Sequence, residues 1–432
     1  MTVGRWVEVH RLAVAGRESA IAREVGHRVA RAWLPRSRFA DVATLAAATL
    51  TLGPDAESFY HLGWAESSTG QPRQALVNYE QALHRYREAG DRGGEAATLT
   101  SIGLVYDGLG DRQQALAYYQ QALPIRREVG GRAGEAATLN NIGLVYDNLG
   151  DRQQALTHYQ QALPLTREAG ERVGEAATLS NIGLVYHGLG DRQRALDYYR
   201  QALPIRREVG DRAGEASTLH NIGSVYNGLG DRQQGLAYFL QSLAIRREVG
   251  DRAGEAATLN NIGSVYNGLG DRQQALDYYR QALAIRQEVG DRAGEATTFT
   301  NIGGVYHGLG DQQQALDYLR QALPIRREVG DRAGEAVTLN NIGAVHNGLG
   351  DRQQALAYFR QALPILREVG DRAGEAATRF NIAMIHRAER NLDQAVDELE
   401  IVVDLDRQVG RPSLESDTAV LEQVRRERAG AT

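Results

Sequence analysis

Asparagine recurs at one position every 40 residues, and its side-chain amide is the group in this sequence best suited to recognition. The seven residues are Asn141, Asn181, Asn221, Asn261, Asn301, Asn341 and Asn381. An amide donates and accepts hydrogen bonds in one plane, as a peptide bond does. Packed helices lie about 10 Å apart and an extended chain advances about 3.4 Å per residue, so successive amides would reach every third peptide unit or so. The column therefore predicts a clamp for the backbone of an extended peptide.

The residues beside this column differ between units, which duplication of whole units would not produce. The neighbours that we expect to line the same peptide groove are Asn140, His220, Asn260, Asn340, Leu144, Leu184, Asp147, His187, Asn227, Asn267 and His307. The early ones are more apolar and acidic and the later ones small and neutral, so a bound peptide should be polarised to match. Two alternatives stay open: the Asn column is a by-product of duplication, or its amides bridge neighbouring helices.

The side chains in this sequence give little evidence of a catalytic site or a metal site. The chain has no Cys and no Lys, which excludes thiolate nucleophiles, cysteine zinc sites, Schiff bases and Lys-dependent phosphate loops. The ten His are scattered; His187 and His307 occupy equivalent positions three repeats apart, too far to share a metal ion. We therefore predict no enzyme, no cofactor and no metal.

The elements that carry these residues form a repeat. Glycines recur with the same 40-residue period, at Gly63, Gly103, Gly143, Gly183, Gly223, Gly263, Gly303 and Gly343, with Ala383 as a ninth. Each unit contains two apolar stripes at helical spacing: one includes Leu139 to Leu149 (helix A) and one includes Ala155 to Leu163 (helix B). Gly150 is expected to end helix A in a left-handed conformation, and Asp151 to cap helix B.

The pattern of Leu, Gly and Tyr followed by Ala, an aromatic residue and Ala resembles the tetratricopeptide repeat. The six extra residues per unit resemble the long repeats of kinesin light chains and Pins-type adaptors. This resemblance implies an all-α fold, a right-handed α-solenoid of tandem helix-turn-helix hairpins. The Asn column is similar to that of the tetratricopeptide superhelix of O-linked N-acetylglucosamine transferase. These families imply a non-catalytic scaffold for protein–protein interaction, with Asn141 to Asn381 holding a peptide on the concave side.

Three segments are expected along the chain: an N-terminal helical segment or cap at 1–54, nine repeats at 55–410, and a capping helix and tail at 411–432. Leu414, Leu421 and Val424 would close the stack. The first segment resembles the helical tail that joins the ATPase to the repeats in bacterial signal-transduction ATPases. That resemblance implies the alternative of a regulatory sensor arm, and near-identical units leave a self-assembling structural protein as a further one.

Composition and charge limit the classes of partner that this chain is expected to bind. The net charge is -5, and Arg and Glu are finely interspersed, so no one-signed field points to nucleic acid or to a membrane. Arg pairs such as Arg206 and Arg207 lie next to Glu208 and Asp211, which favours ion pairing between repeats over phosphate binding. No export signal or membrane span is evident, so we expect a cytoplasmic protein that binds a protein or peptide partner. We expect a monomer, with weak end-to-end association as the alternative.

Overall fold

A computed structural model describes residues 2–431, which form 22 α-helices and one 3-10 helix without any strand in that range. Met1 and Thr432, the ends of the two predicted terminal segments, lie outside the described residues. The chain divides into two compact units, 1–218 and 219–432, and each is described by itself. No helix within 2–431 is both long and apolar enough to cross a membrane.

Most helices alternate as helix A and helix B of successive hairpins. The helices before the repeats are α1 (Val3–Ala15), α2 (Ser19–Trp33) and α3 (Phe39–Leu50), with a 3-10 turn at Leu34–Arg36. The A helices are α4 (Ala56–Ser68), α6 (Arg92–Gly108), α8 (Arg132–Asn148), α10 (Arg172–Gly188), α12 (Arg212–Gly228), α14 (Arg252–Leu269), α16 (Arg292–Leu309), α18 (Arg332–Gly348) and α20 (Arg372–Ala388). The B helices are α5 (Pro72–Ala89), α7 (Arg112–Glu128), α9 (Arg152–Glu168), α11 (Arg192–Glu208), α13 (Arg232–Val249), α15 (Arg272–Val289), α17 (Gln312–Glu328), α19 (Arg352–Glu368) and α21 (Leu392–Val409). The last helix is α22 (Leu414–Ala431).

Within each unit the hairpins stack side by side. In the first unit α6 packs against its partner α7, α7 packs against α8 of the next hairpin, and α6 also contacts α8. In the second unit α14, α15 and α16 repeat this arrangement. One hairpin alone cannot bury its apolar face, so each is stabilised by its neighbours. The predicted all-α fold of tandem hairpins, an α-solenoid, is confirmed.

Local sequence explains the turns between A and B helices. Gly150 has a φ of +84°, the left-handed conformation that a residue without Cβ adopts at little cost. Oδ1 of Asp151 then accepts a hydrogen bond of 3.0 Å from the backbone N–H of Gln154, which caps α9. The predicted helix stop and cap are therefore both present.

The close approach of helix A and helix B depends on the repeat glycine. A Cβ added at Gly143 would lie 2.7 Å from Cε1 of Tyr159, whose ring is fully buried beside the glycine. Leu139, Ile142 and Val145 complete this core, as their spacing predicted.

Two further members of the predicted buried stripe differ from expectation. Leu149 is 50% exposed, because it is the residue at which α8 ends and the chain turns away from the core. Tyr146 is half-buried and stacks on the ring of His158, with 5.5 Å between the ring centroids.

Proline is tolerated inside five B helices, represented by Pro124 of α7. The helix continues beyond it to Glu128, and Pro124 is exposed. Its ring removes the backbone hydrogen bond to the carbonyl of Gln120, which is also an exposed residue, so water can satisfy that carbonyl.

The helices at either end bury apolar side chains against the repeats. In the first unit Trp33 and Val42 form a cluster with Ala65 of α4. In the second unit Leu421 and Val424 of α22 are buried against α21, and Leu414 is partly buried there. These contacts cover the apolar faces that the terminal hairpins would otherwise expose.

The joint between α2 and α4 also contains a charged histidine. His27 Nε2 lies 2.7 Å from Asp55 Oδ2, and its Nδ1 lies 2.9 Å from Glu57 Oε2. Burial by itself would lower the pKa of His27, but the hydrogen bonds to the two carboxylates outweigh it and raise the pKa to about 9. The same pairing lowers the pKa of Asp55 to about 2, although burial opposes it.

Ion pairs connect successive helices along each unit. Glu175 at the start of α10 is buried and accepts from Arg167 Nε at 2.8 Å and from Arg172 Nη1 at 2.5 Å. Arg172 in turn reaches Glu208 at 2.7 Å. The second unit repeats the pattern, with Arg247 on Glu255 at 2.8 Å. Structural pairing is therefore confirmed for repeated Arg residues such as Arg206, Arg247 and Arg326, but not for Arg126.

Candidate functional site

Each A helix leaves one stripe outside the core. On α8 the stripe contains Ala137 and Leu144, which are exposed, and Asn141, which is half-buried. The opposite side of the helix is occupied by buried residues such as Leu139 and Ile142. We call the corresponding stripes of the A helices the A face.

The Asn column lies along one edge of the A face. Within residues 2–431, the side-chain amides of five of its members make no hydrogen bond to the protein and are at least partly exposed: those of Asn141 and Asn181 in the first unit, and of Asn221, Asn341 and Asn381 in the second. An amide carries two donor hydrogens and an acceptor oxygen, so these residues retain their full capacity to bind another backbone.

Two amides of the column bridge neighbouring A helices. Asn261 Nδ2 donates to His220 Nε2 at 3.0 Å, and Asn301 Nδ2 donates to Asn260 Oδ1 at 3.0 Å. The structural bridge that the sequence left open is therefore present at these two positions. Each bridge uses one amide hydrogen and leaves the second hydrogen and Oδ1 of the column residue unoccupied.

His220 is the centre of a short hydrogen-bond chain. Its Nδ1 lies 3.1 Å from Thr258 Oγ1, which itself donates to the carbonyl of Gly254 at 3.0 Å. The threonine hydroxyl therefore accepts from Nδ1–H, and Nε2 accepts from Asn261. Burial lowers the pKa of His220 to about 4, so the ring is neutral at pH 7.

The residues that occupy the position of His220 in other repeats also lie between neighbouring A helices. Asn140 Nδ2 donates to Thr178 Oγ1 at 2.8 Å, and Asn340 Oδ1 accepts from Thr378 Oγ1 at 3.0 Å. Asn260 is buried and bonded to Asn301. Each of these bonds joins residues 38 or 41 positions apart, in neighbouring repeats, and the expectation that these variable residues line a groove stays a prediction.

The remaining predicted residues lie on two parts of the A face. Leu144 and Leu184 are 39% and 44% exposed in the first unit. A second set lies at the C-terminal ends of the A helices: Asp147, His187, Asn227, Asn267 and His307. The set differs internally, since Asn267 is exposed, the others are half-buried, and His307 Nδ1 is paired with Gln312 Oε1 at 2.7 Å.

Burial shifts the pKa of two of these residues. It raises the pKa of the Asp147 carboxyl, against the opposing effect of Arg152, and it lowers the pKa of His187, to which Arg192 adds. Both shifts favour the neutral form. In the described part of the chain, no three His, Asp or Glu side chains are grouped so as to hold a metal ion.

A pocket in the first unit was not predicted. It has a volume of about 310 Å³ and lies between α4 and α6, where Tyr60 and Trp64 form one wall and Ser101 and Leu104 the other. Arg126, from the end of α7, also lines it. The sequence signal was available: Tyr60 and Trp64 are the aromatic substitutions of the first repeat at the positions of Asn140 and Leu144.

The tetratricopeptide repeat family model matches residues 55–128, 134–208, 214–288, 256–328 and 334–408. No curated protein matches this sequence. The matched ranges coincide with the stacked hairpins described above and cover most of the chain.

Several solved structures share the fold at low identity. The apo form of the quorum sensor NprR from B. thuringiensis is 17% identical, with a TM-score of 0.58 over 78% of this chain and 97% of that chain. A Rap protein complexed with Competence and Sporulation Factor is 15% identical, with a TM-score of 0.55 over 85% and 98%. A signal transduction ATPase with numerous domains and a tetratricopeptide repeat sensor, from Pyrococcus horikoshii, is 14% identical, with a TM-score of 0.63 over 82% of this chain and 54% of that chain.

Proposed function

We propose that this chain, which belongs to the tetratricopeptide repeat family, is a non-catalytic interaction arm that binds an extended peptide segment of a partner protein on its A face. The observation that carries the proposal is the Asn column, whose amides keep unused hydrogen-bonding groups on a partly exposed surface. A peptide backbone needs a donor and an acceptor side by side, and an amide supplies both. The clamp would hold a backbone without reading its sequence.

The bridged residues are compatible with this role. A bridge such as Asn301 to Asn260 fixes the orientation of the amide before a ligand arrives. Binding then orders fewer side chains, and ordering each one opposes association by roughly 0.5–1.5 kcal/mol. Clamping and bridging are therefore not exclusive.

The A face differs between the two units, which indicates the chemistry of the peptide. The first unit exposes Leu104, Leu144 and Leu184, and the half-buried Asp107 and Asp147 lie nearby. The second unit has small residues at the equivalent positions, such as Ser264 and Gly304. We expect apolar or basic residues of a peptide against α8 and α10 of the first unit and small polar residues against the second unit.

The test uses peptides selected from a random 15-residue display library on the whole chain and titrated by calorimetry. The double variant Asn341→Ala plus Asn381→Ala removes two amides that have no internal partner. Each lost hydrogen bond is worth about 0.5–1.5 kcal/mol, so the Kd should rise about 5- to 150-fold. Circular dichroism should show unchanged helix content.

The matched control is Gln353→Ala, which removes an exposed amide from helix B of the same region. It should leave the Kd unchanged. Equal affinity of the double variant and the wild type would contradict the clamp, and an equal loss in the Gln353 variant would show that the effect is not specific to the A face.

A regulatory sensor arm is the second candidate. The likeness to the Pyrococcus ATPase, whose repeats are described as a sensor, favours it, and α2 and α3 pack directly on α4 of the first repeat. In this role peptide binding would alter the activity of an effector that associates with α1–α3. Replacing the exposed Leu12 and Ile21 of α1 and α2 by Ser would release such an effector from an affinity column, whereas retention of every co-purifying protein would contradict the second candidate.

A further inference from the structure

A recurrent arginine near the end of helix B is normally neutralised by an aspartate five residues later. Arg206 pairs with Asp211, Arg246 pairs with Asp251 at 2.8 Å, and Arg326 pairs with Asp331. The same aspartates cap the next A helix, as Asp251 does by accepting from the N–H of Gly254 at 2.9 Å. One carboxylate therefore satisfies both the guanidinium and the start of the following helix.

Arg126 occupies this position in the second repeat, but its aspartate is replaced by Gly131. Its side chain makes no ion pair or hydrogen bond with any residue in 2–431, and its Nε is buried without a partner. The Nε atoms of Arg206 and Arg326 are also unpartnered, but those arginines each bind a carboxylate through Nη1. Arg126 alone has lost the carboxylate.

The surroundings of Arg126 supply no substitute. The guanidinium lies against the first turn of α8, where a Cβ at Gly134 would be 2.9 Å from its Nε and Nη1. α8 has no side-chain cap, and the start of a helix repels a cation. Burial accordingly lowers the pKa of the Arg126 guanidinium below its usual range. The site lacks one negative charge that its counterparts contain.

The pocket between α4 and α6 gives this arginine access to a ligand. Its lining contains no carboxylate: besides Arg126 it consists of aromatic, hydroxyl and aliphatic side chains, among them Tyr60, Trp64, Ser101 and Leu104. Trp64 is 42% exposed and Leu104 is 51% exposed, so the pocket opens on the A face. An anion that enters would meet one guanidinium, hydroxyl groups and aromatic walls.

We propose that this pocket is a carboxylate anchor, in which Arg126 binds the C-terminal carboxylate or an acidic side chain of the peptide held on the A face. The ligand group replaces the carboxylate that Asp211 and its equivalents provide elsewhere in the chain. A carboxylate fits better than a phosphate, because a single guanidinium among apolar walls compensates one negative charge and not two. The anchor rests on the proposed function for the source of its ligand, but its chemistry can be tested alone.

The experiment titrates the full chain with small probes and follows the tryptophan indole N–H signals by NMR. The chain has three Trp, and Trp64 is the one that lines this pocket, so its signal is assigned with Trp64→Phe. The probes are N-acetylphenylalanine, N-acetylglutamate α-amide, the neutral N-acetylphenylalanine amide, and inorganic phosphate. The two carboxylates should shift the Trp64 signal saturably, and the tighter one identifies the source as chain terminus or side chain. The neutral amide and phosphate should bind at least tenfold more weakly, and equal binding of either would overturn the proposal.

The decisive variant is Gly131→Asp, which restores the missing carboxylate and keeps Arg126. Gly131 has a φ of -78° and no close neighbour around its Cβ position, so the aspartate fits as it does in other repeats. It should weaken N-acetylphenylalanine binding at least tenfold while making the fold more stable, an outcome that loss of folding cannot mimic. Arg126→Gln should weaken binding as much, and the control Arg206→Gln should not. Undiminished binding in Gly131→Asp would refute the anchor.

The probes are too short to span the Asn column, so this result is independent of the peptide clamp. Probe binding that is lost in Gly131→Asp supports the anchor whatever the Asn341 and Asn381 variants do. Absence of probe binding in a chain whose selected peptides still depend on those Asn residues would overturn the anchor and leave the proposed function standing.

Discussion

Two adjacent glycines in α16 give a matched test of the close helix packing on which the hairpin depends. A Cβ at Gly303 would lie 2.8 Å from Cγ of Leu319 and 3.2 Å from the backbone carbonyl oxygen of Ala315, whereas a Cβ at Gly304 would meet no atom within 4 Å. Replacing either by Ala improves helix propensity by about 0.8–1 kcal/mol. Overpacking costs about 1–3 kcal/mol and applies to Gly303 alone.

Gly304→Ala should therefore raise the free energy of opening of α16 by about 1 kcal/mol, and Gly303→Ala should lower it by about 0–2 kcal/mol. Native-state hydrogen exchange of α16 and α17 measures both, because it reports local opening in a repeat protein that need not unfold in one step. The ninth repeat already has Ala383 and Leu399 in one buried cluster, so the fold accommodates this pair. Equal effects of the two substitutions would refute the inference that glycine is required for the approach of α16 to α17.

Three further predictions concern charge and assembly. The pKa of His27 is raised from 6.5 to about 9, so the stabilisation from its ion pairs is complete below pH 6.5 and should be lost as the pH rises to about 9. Hydrogen exchange of α2 should then show a free energy of opening lower by up to about 3 kcal/mol. The variant His27→Gln should remove this pH dependence, and a dependence that persists would contradict the pairing with Asp55. Glu175→Gln should lower the free energy of opening of α10 by about 1 kcal/mol at low salt and by less at 1 M NaCl, because the partner Arg167 is half exposed. Glu208 is exposed, so Glu208→Gln should have no resolvable effect. Equal effects of the two substitutions would contradict the role of burial. Light scattering should give a monomer mass that does not depend on concentration, whereas a rising mass would favour end-to-end assembly.

Most of the fold could be predicted from the 40-residue repeat. Glycine and aspartate at fixed positions, as in Gly150 and Asp151, determine a helix stop and a cap through the backbone of their own neighbourhood. The burial of Leu139 and Ile142 followed from helical spacing alone. The prediction that Leu149 is buried was wrong, because helical spacing does not show where the helix ends and the chain leaves the core.

The sequence alone therefore determined the helices, their pairing into hairpins and the recurrence of the Asn amides, since each depends on residues within one 40-residue unit. The tertiary structure decided which groups meet across units: that Asn261 bonds to His220, that Asn341 keeps its amide unoccupied, and that Arg126 faces a pocket without a carboxylate. The physical reason is that a hydrogen bond or ion pair depends on separations of a few ångströms between atoms of different repeats, and a one-dimensional pattern does not contain those separations.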